Sequence, residues 1–424
     1  MKLLLSGDLH IGRSSTRVPD SVRPDDLRAA TVWRRIVELA IGEQVAAVCL
    51  SGDVADQDNK FWEAIGPLEE GLLRLADAKI RTVAVAGNHD HDVLGRLADH
   101  LPHEHFTVLG RGGQWERITI HHGRSSLHLD GWSFPRQQVH HSPLERYNLP
   151  KDSNTPILGI VHGDLDSPTT PYAPLDLARL QGLPPTGWLL GHLHGYRLIG
   201  AQTGRWVLYP GSPQALDPGE TGPHGPWIVE ISSSAMGVPE HWPLSRIWYG
   251  QCEINLSTAS NESEIESVVL NGIRERTAHI VATAGPHLAH ISLRLKLVGT
   301  TRASHHVREV TSQLIHNLSL PIGNATVGVE SVDVETVPAI DLAEHANSRS
   351  APGALARLLL ELEQPKPSQD LAELIHRARR ELENVDQHKD FTQLERREVT
   401  EELARTYLRT QARRLLTQLV NQTA

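Results

Sequence analysis

The sequence predicts a layered α/β fold that is followed by a small α+β domain and a helical tail. Residues 1–245 alternate short apolar, strand-like runs with segments of helical period, which is typical of layered α/β proteins. Residues 246–346 instead follow a β-α-β-α-β order, and residues 347–424 begin as a weak Ser/Pro/Gly linker and continue as charged helix. A chain of 424 residues is long enough for these domains.

Within the first domain, apolar periodicity predicts two amphipathic helices and several strands. The first helix is predicted over residues 25–43, and the second from Asn59, whose side chain suits an N-cap, to residue 77. Alternating apolar residues predict a hairpin over residues 116–134. Further strands are predicted at residues 3–5, 46–50, 81–85, 157–161, 188–190, 206–209 and 227–231.

Five apolar runs are each followed directly by a segment rich in Gly, Asp, Asn or His. The segments are Gly7-Asp8-Leu9-His10, Gly52-Asp53-Val54-Ala55-Asp56, Gly87-Asn88-His89-Asp90, His162-Gly163-Asp164 and Gly191-His192-Leu193-His194. In layered α/β sheets, side chains that follow the carboxyl ends of strands form ligand sites. We therefore expect the five segments to converge.

The converging side chains predict a centre for two metal ions. The candidate ligands are Asp8, His10, Asp53, Asn88, His162, His192 and His194. Two carboxylates, one amide and four imidazoles are too many for one ion and suit two ions that share a carboxylate. Mixed nitrogen and oxygen donors favour manganese, iron or zinc over calcium or magnesium. Two such ions assist an in-line phosphoryl displacement, in which a bridging hydroxide attacks.

Each of these residues also has a simpler structural explanation when it is considered alone. Most of the 25 histidines are expected at the surface or in the core, Asp53 suits a helix cap, and Gly87 and Asn88 suit a turn. The metal centre is favoured because all five motifs occur in order, each after an apolar strand.

The bulk composition limits the location and the partners of the chain. A net charge of −10 provides no general basic surface for nucleic acid, so such binding would need local patches or metals. Cys49 and Cys252 do not suggest a disulfide framework and are expected to be buried thiols in a reducing compartment. No segment approaches the length of a membrane span, and the N-terminal apolar run is too short for a signal peptide. We therefore expect a cytoplasmic protein.

Taken together, the five motifs resemble those of the calcineurin-like metallophosphoesterases. The resemblance covers about the first 200 residues and implies a layered β-sandwich flanked by helices. It implies that one ion is held by Asp8, His10, Asp53 and His194, and the other by Asp53, Asn88, His162 and His192. It also implies that His89 is the general acid that protonates the leaving alkoxide and that Asp56 orients it. Asp90 is expected to support its loop.

Four shorter motifs narrow the resemblance to the DNA-repair exonuclease branch of the family, the SbcD-like and YhaO-like proteins. These motifs are Asp8-Leu9-His10-Ile11-Gly12-Arg13, Gly131-Trp132-Ser133-Phe134, Tyr209-Pro210-Gly211-Ser212-Pro213 and Glu220-Thr221-Gly222-Pro223-His224-Gly225. The branch implies a capping domain, here residues 246–346, and C-terminal helices that dock on an SMC-like coiled-coil ATPase.

The tail carries two leucine-rich stripes at helical spacing, which suit two different roles. The stripes are Leu371, Leu374, Ile375, Ala378 and Leu382, and then Leu403, Tyr407, Leu408, Leu415 and Leu419. Packing on the chain's own domains and docking on a partner would both bury these side chains, and the sequence does not separate the two roles.

The leading hypothesis is a two-metal phosphodiesterase, most active with Mn²⁺, that cleaves DNA at its ends. Exonuclease activity is expected, with endonuclease activity and a homodimer also considered. One alternative is a phosphatase or phosphodiesterase for nucleotides or small phosphoesters, which the acidic net charge favours. A second alternative is a DNA-end-binding scaffold subunit. The complete ligand set argues against the scaffold, because a scaffold has no need of His89.

Overall fold

The computed structural model describes the chain except for residues 19–21, 57–62, 153, 233–234, 317, 319, 387–398 and 424. The described residues form two compact units. One contains Met1–Cys252, Asn271–Leu295 and Ile315–Asp333, and the other contains Glu253–Leu270, Lys296–Leu314 and Val334–Ala424. The predicted domain boundaries at residues 245 and 346 stay a prediction.

The first unit contains two six-stranded sheets. Their strands are β1 (Lys2–Ser6), β2 (Ala47–Leu50), β3 (Arg81–Ala84), β4 (Phe106–Val108), β5 (Glu116–His122), β6 (Ser125–Trp132), β7 (Ile157–His162), β10 (Gly187–Gly191), β11 (Arg197–Ile199), β12 (Trp206–Tyr209), β13 (Trp227–Glu230) and β14 (Glu240–His241), and a small pair, β8 (Asp164–Leu165) and β9 (Pro174–Leu175), lies apart. The strand orders are β14-β13-β1-β2-β3-β4 and β11-β12-β10-β7-β6-β5. The hairpin predicted over residues 116–134 is confirmed as β5 and β6.

The two sheets pack face to face and form the β-sandwich that the family resemblance implies. Leu3 and Leu5 of β1 lie in a core shared with Leu158 of β7 and Leu189 of β10. Leu4, between them, points to the opposite face, because side chains alternate along a strand. The central strands are buried on both faces, which explains why their sequences are continuous apolar runs.

Helices cover the outer face of the first sheet. They are α1 (Ala29–Gly42), α2 (Ile65–Asp77) and α3 (Leu94–His100), and the short α4 (Leu177–Gly182) belongs to the second sheet's side. The helix predicted from residue 25 begins later, because Arg28 is extended (φ −72°, ψ 139°) and separates a 3₁₀ turn at Pro24–Leu27 from α1. Asn59, the predicted N-cap of the second helix, lies outside the described residues.

The β-α-β-α-β order predicted for residues 246–346 is confirmed, with additional short strands. The elements are β15 (Ile247–Asn255), α5 (Glu262–Thr283), β16 (His290–Val298), β17 (Thr300–Thr301), α6 (Val307–His316), β18 (Leu320–Ile322), β19 (Ala325–Val334) and β20 (Val337–Pro338). The sheet order is β15-β16-β19-β18, and β17 pairs with β20.

The tail forms helices that pack on one another within the second unit. They are α7 (Leu342–Ala346), α8 (Ala351–Leu362), α9 (Gln369–Asp386) and α10 (Glu401–Thr423). Leu371 and Ile375 of α9 are buried with Leu362 of α8 and Ala404 of α10. The second predicted stripe is divided: Leu408 packs against this cluster, whereas the exposed fractions of Leu403, Tyr407 and Leu415 are 43%, 47% and 50%.

None of the described helices combines the length and the apolar character needed to span a membrane.

Candidate metal centre

The five motif segments follow the carboxyl ends of β1, β2, β3, β7 and β10, and four of their residues have unusual backbone conformations. The φ angles of Asp8, His10, Asp53 and His192 are 49°, 45°, 49° and 106°. A left-handed conformation costs about 1–3 kcal/mol for a residue other than glycine and is common at functional sites. Hydrogen bonds hold these turns together, since the Asp8 N–H donates to Gly52 O (3.0 Å) and the His10 N–H to Asp53 O (3.0 Å).

Among the described residues, three triads of ligand side chains have ligand atoms within 4.8 Å of one another. The triads are Asp8–His10–His194, Asp8–Asp53–His162 and His10–Asp56–His89. All three are buried or half-buried, and Asp8 and His10 each belong to two of the triads. The structure thus brings motifs from both sheets to one point.

The first ligand group is centred on two imidazoles. His10 Nε2 lies 3.0 Å from His194 Nε2, and Asp53 Oδ2 lies 4.0 Å from His10 Nε2. The opposite ring nitrogen of His194 donates to Glu220 Oε1 at 2.6 Å. Both Nε2 atoms therefore lie close to each other and to Asp8, where the three side chains can bind a single cation.

The second ligand group consists of His162, Asn88 and Asp53, and its hydrogen bonds indicate whether these residues fit a metal ion. His162 Nδ1 donates to the carbonyl of Ser51 at 3.0 Å, so the proton of the neutral ring is on that nitrogen. The unprotonated Nε2 faces Asn88 Oδ1 at 3.0 Å and Asp53 Oδ2 at 3.4 Å. Burial lowers the pKa of His162, which disfavours a second proton. Three acceptors thus converge without a donor between them, an arrangement that a divalent cation satisfies.

Asp53 joins the two ligand groups. Its Oδ2 approaches both His10 and His162, and its Oδ1 accepts from the His89 N–H at 2.9 Å. Burial alone would raise the pKa of Asp53, but the nearby His162 and His10 lower it overall. Burial raises the pKa of Asp8 well above its usual range. A bound cation would favour the ionised form of both carboxylates.

Asp90 and Gly87 fix the loops that carry Asp53 and Asn88. The buried Asp90 carboxylate accepts from the backbone N–H groups of Gly87 (2.8 Å) and Val54 (2.6 Å), which lie on different motif loops. Asp90 therefore supports the loop, as its sequence position suggests. Gly87 approaches Asp53 so closely that an added Cβ would lie 2.2 Å from Asp53 Oδ1.

His89 lies at the accessible side of the centre, where its side chain is 30% exposed. Its Nδ1 is 3.9 Å from Asp56 Oδ1, and the same oxygen is 3.4 Å from His10 Nδ1. Asp56 therefore sits between His89 and His10, whereas the sequence associated it with His89 alone. The ring centroids of His10 and His89 are 4.9 Å apart and nearly perpendicular.

Among the four predicted histidine ligands, His192 alone lies outside the three triads of the described residues. Its backbone N–H donates to the Asp8 carboxylate at 2.9 Å, and its ring centroid lies 5.4 Å from that of His162. Burial lowers the pKa of His192 to about 4, so the ring is neutral at neutral pH. Its ring belongs to none of the three triads found among the described residues.

Sequence reasoning gave no role to Glu220 or Tyr172, which both contact predicted ligands. Glu220 accepts from His194, and the ring of Tyr172 lies 4.9 Å from that of His192. Glu220 belongs to one of the short motifs, but its separation of 26 residues from His194 carries no spacing signal that would link the two. Tyr172 follows no strand-end pattern at all.

Comparisons with known proteins agree with the geometry. The family model for the calcineurin-like phosphoesterases matches residues 1–196. The uncharacterized metallophosphoesterase YhaO of Bacillus subtilis is 27% identical over 271 residues, which cover 62% of this chain and 65% of that protein. The DNA double-strand break repair protein Mre11 of Haloferax volcanii is 28% identical over 255 residues, which cover 56% and 51%. The chain thus matches less than two thirds of the length of either curated relative.

Among solved structures, a dimetal phosphatase from Danio rerio matches with a TM-score of 0.37 and 13% identity, over 59% of this chain and 99% of that one. The family match covers the strands and the motif loops that carry all seven predicted ligands. Residues 1–196 of the chain therefore match the calcineurin-like phosphoesterase domain.

Proposed function

We propose that the chain is a two-metal phosphodiesterase that cleaves DNA at its ends. The observation that carries the proposal is the pair of acceptor groups that share Asp53, with His89 at their accessible side. Asp8, His10, Asp53 and His194 would hold one ion, and Asp53, Asn88, His162 and His192 the other. Two divalent ions supply an activated water and polarise the phosphoryl oxygens.

The remaining steps fall to side chains of the chain itself. Hydrolysis adds water across one P–O bond, so the leaving alkoxide must gain a proton as that bond breaks. His89 is placed to donate it, and its exposed edge allows a proton to return from solvent. The carboxylate of Asp56, whose Oδ1 lies 3.9 Å from His89 Nδ1, is placed to orient the ring.

Two features support DNA as the substrate. One of the curated relatives carries a name that assigns it to DNA double-strand break repair. In addition, Tyr196, two residues after His194, is 46% exposed, and its ring packs on His241 (5.1 Å) and Trp227 (5.6 Å). A supported, exposed aromatic ring is a typical platform for stacking an unpaired base.

Manganese and a cytoplasmic location belong to the same proposal. Imidazoles outnumber carboxylates in the ligand set, which favours a transition metal such as Mn²⁺ over Mg²⁺. Both cysteines, Cys49 and Cys252, are free and buried thiols, which suits a reducing compartment.

We further propose that α10 docks on an SMC-like coiled-coil ATPase. A homodimer of this chain is a second proposed assembly. The support is the exposed apolar set Leu403, Tyr407 and Leu415 on a helix whose other face is already packed. The matched test is co-purification of the ATPase with Leu403→Ser and Tyr407→Ser chains. Unchanged recovery would contradict the docking.

The nuclease proposal is tested with the purified full chain, stripped of metal and then supplied with Mn²⁺, Mg²⁺ or Zn²⁺. The substrates are end-labelled linear duplex, closed circular duplex, hairpin DNA, a cyclic nucleotide and an aryl phosphodiester. We expect Mn²⁺-dependent loss of the linear label with the circle intact, and the Asp53→Asn chain controls for contaminating nucleases.

Two results would contradict this proposal in different ways. Cleavage restricted to the cyclic nucleotide or the aryl ester would favour the small-phosphoester alternative, which the net charge of −10 also suits. Full activity with Mg²⁺ alone, without a transition metal detectable by elemental analysis, would overturn the metal assignment.

A further inference from the structure

Two of the short motifs, Tyr209–Pro213 and Glu220–Gly225, have no assigned role so far. Both lie in a segment that contacts the loop of His194. Both oxygens of the Glu220 carboxylate are engaged: Oε1 accepts from His194 Nδ1 at 2.6 Å, and Oε2 accepts from Ser212 Oγ at 2.9 Å and from the Leu216 N–H at 2.7 Å. Glu220 is only 9% exposed. The contacts of Oε2 with Ser212 and Leu216 therefore fix the orientation in which the carboxylate faces the imidazole of His194.

The same segment also holds the main chain of His194. The Ser212 N–H donates to His194 O at 3.0 Å. The preceding Gly211 has a φ of +75°, and an added Cβ would lie 2.6 Å from that carbonyl oxygen. The ring and the backbone of His194 are thus fixed by one short stretch of chain.

This contact determines how His194 can act as a ligand. A carboxylate only accepts, so Nδ1 carries the proton and Nε2 is directed at the position it shares with His10 Nε2, 3.0 Å away. Carboxylates that accept from a metal-binding histidine orient the ring and strengthen it as a ligand.

The two ligand groups differ in the acceptor to which the Nδ1 of their histidine donates. The corresponding nitrogen of His162 donates to a neutral carbonyl, Ser51 O, at 3.0 Å, whereas that of His194 donates to a carboxylate at 2.6 Å. We propose that Glu220 is a positioning residue for metal binding, which holds His194 in its ligand orientation and selectively strengthens the ion site formed with Asp8 and His10. This inference rests on the metal centre of the proposed function.

The test measures Mn²⁺ binding to the metal-free full chain by calorimetry, independently of any activity. The wild-type chain is expected to bind two ions. Glu220→Ala should weaken one of them by about 10- to 100-fold and leave the other unchanged. Glu220→Gln keeps an acceptor oxygen but loses the charge, so a smaller loss is expected, and Ser212→Ala should give a smaller loss again.

Asp130→Asn is the matched control. Asp130 is a fully buried carboxylate that accepts from Arg117 at 2.6 and 2.7 Å and from Tyr147, none of which is a candidate ligand. This variant is expected to lower the melting temperature without changing either Mn²⁺ affinity. The visible absorption of bound Co²⁺ should change in the Glu220 variants and not in the control.

The outcomes separate the inference from the proposed function. A wild-type chain that binds no ion would overturn the metal centre itself. Two wild-type ions with unchanged affinities in Glu220→Ala would overturn only the role of Glu220. Equal weakening of both ions, matched by Asp130→Asn at a similar loss of melting temperature, would show that Glu220 acts through stability alone and would also refute the inference.

Discussion

Replacing Gly87 with alanine is expected to displace the shared ligand Asp53 and weaken the metal centre. The added Cβ would lie 2.2 Å from Asp53 Oδ1, 2.7 Å from Asp53 N and 2.9 Å from Asp53 Cγ. Because non-bonded heavy atoms are most favourably separated by about 3.5 Å, the loops must part by roughly 1 Å. Rotation of the side chain alone cannot relieve the contact, since one of the three atoms belongs to the backbone.

Such overpacking costs about 1–3 kcal/mol of folding free energy. At roughly 2–4 °C per kcal/mol for a domain of this size, the melting temperature should fall by about 2–12 °C. Asp53 contributes to both ligand groups, so both Mn²⁺ affinities should fall. A misplacement of about 1 Å near reacting groups is also expected to lower turnover by roughly 10²-fold.

The assays are thermal unfolding and Mn²⁺ calorimetry on the full chain, with Gly66→Ala as the control. Gly66 lies in α2, and an added Cβ there has no atom within 4 Å among the described residues. The control should keep its metal affinity and gain up to about 1 kcal/mol in stability from helix propensity. A Gly87→Ala chain with wild-type melting temperature, or one that is destabilised but binds both ions normally, would refute the reasoning.

Three further outcomes follow from the contacts described. His89→Gln should retain both ions, because its ring lies beside the ligand groups, while kcat falls by about 10²- to 10⁴-fold; release of metal by this variant would refute its role as acid. Burial raises the pKa of Cys49 to about 12 and also raises that of Cys252, so both thiols stay protonated at neutral pH and should react with a disulfide reagent only after unfolding. Leu371→Ala should cost about 2–5 kcal/mol in urea unfolding, whereas Leu403→Ala, on the exposed face of α10, should change stability by less than about 0.5 kcal/mol. Equal losses would contradict the helix packing.

The sequence predicted the layered fold and the convergence of its five motifs, because both depend on local patterns. A buried parallel strand must be continuously apolar, and the first polar residues after it must lie at its carboxyl end. That rule placed Asp8, Asp53, Asn88 and His162 together without any knowledge of the strand order. The tail helices were likewise visible from their leucine spacing.

Several features of the site and of the tail could be seen only in the tertiary structure. The pairing of Glu220 with His194 and the position of Asp56 between His89 and His10 depend on how separate loops meet, which no spacing in the chain encodes. In α10, the side that is buried is the one that packs against α8 and α9. It carries Ala404, Ala412 and Leu416, whereas Leu403 is exposed. Periodicity in the sequence indicates which residues share a face of a helix. Burial of that face lowers the free energy only when a neighbouring surface removes it from water, and the neighbouring surface is known only from the tertiary structure.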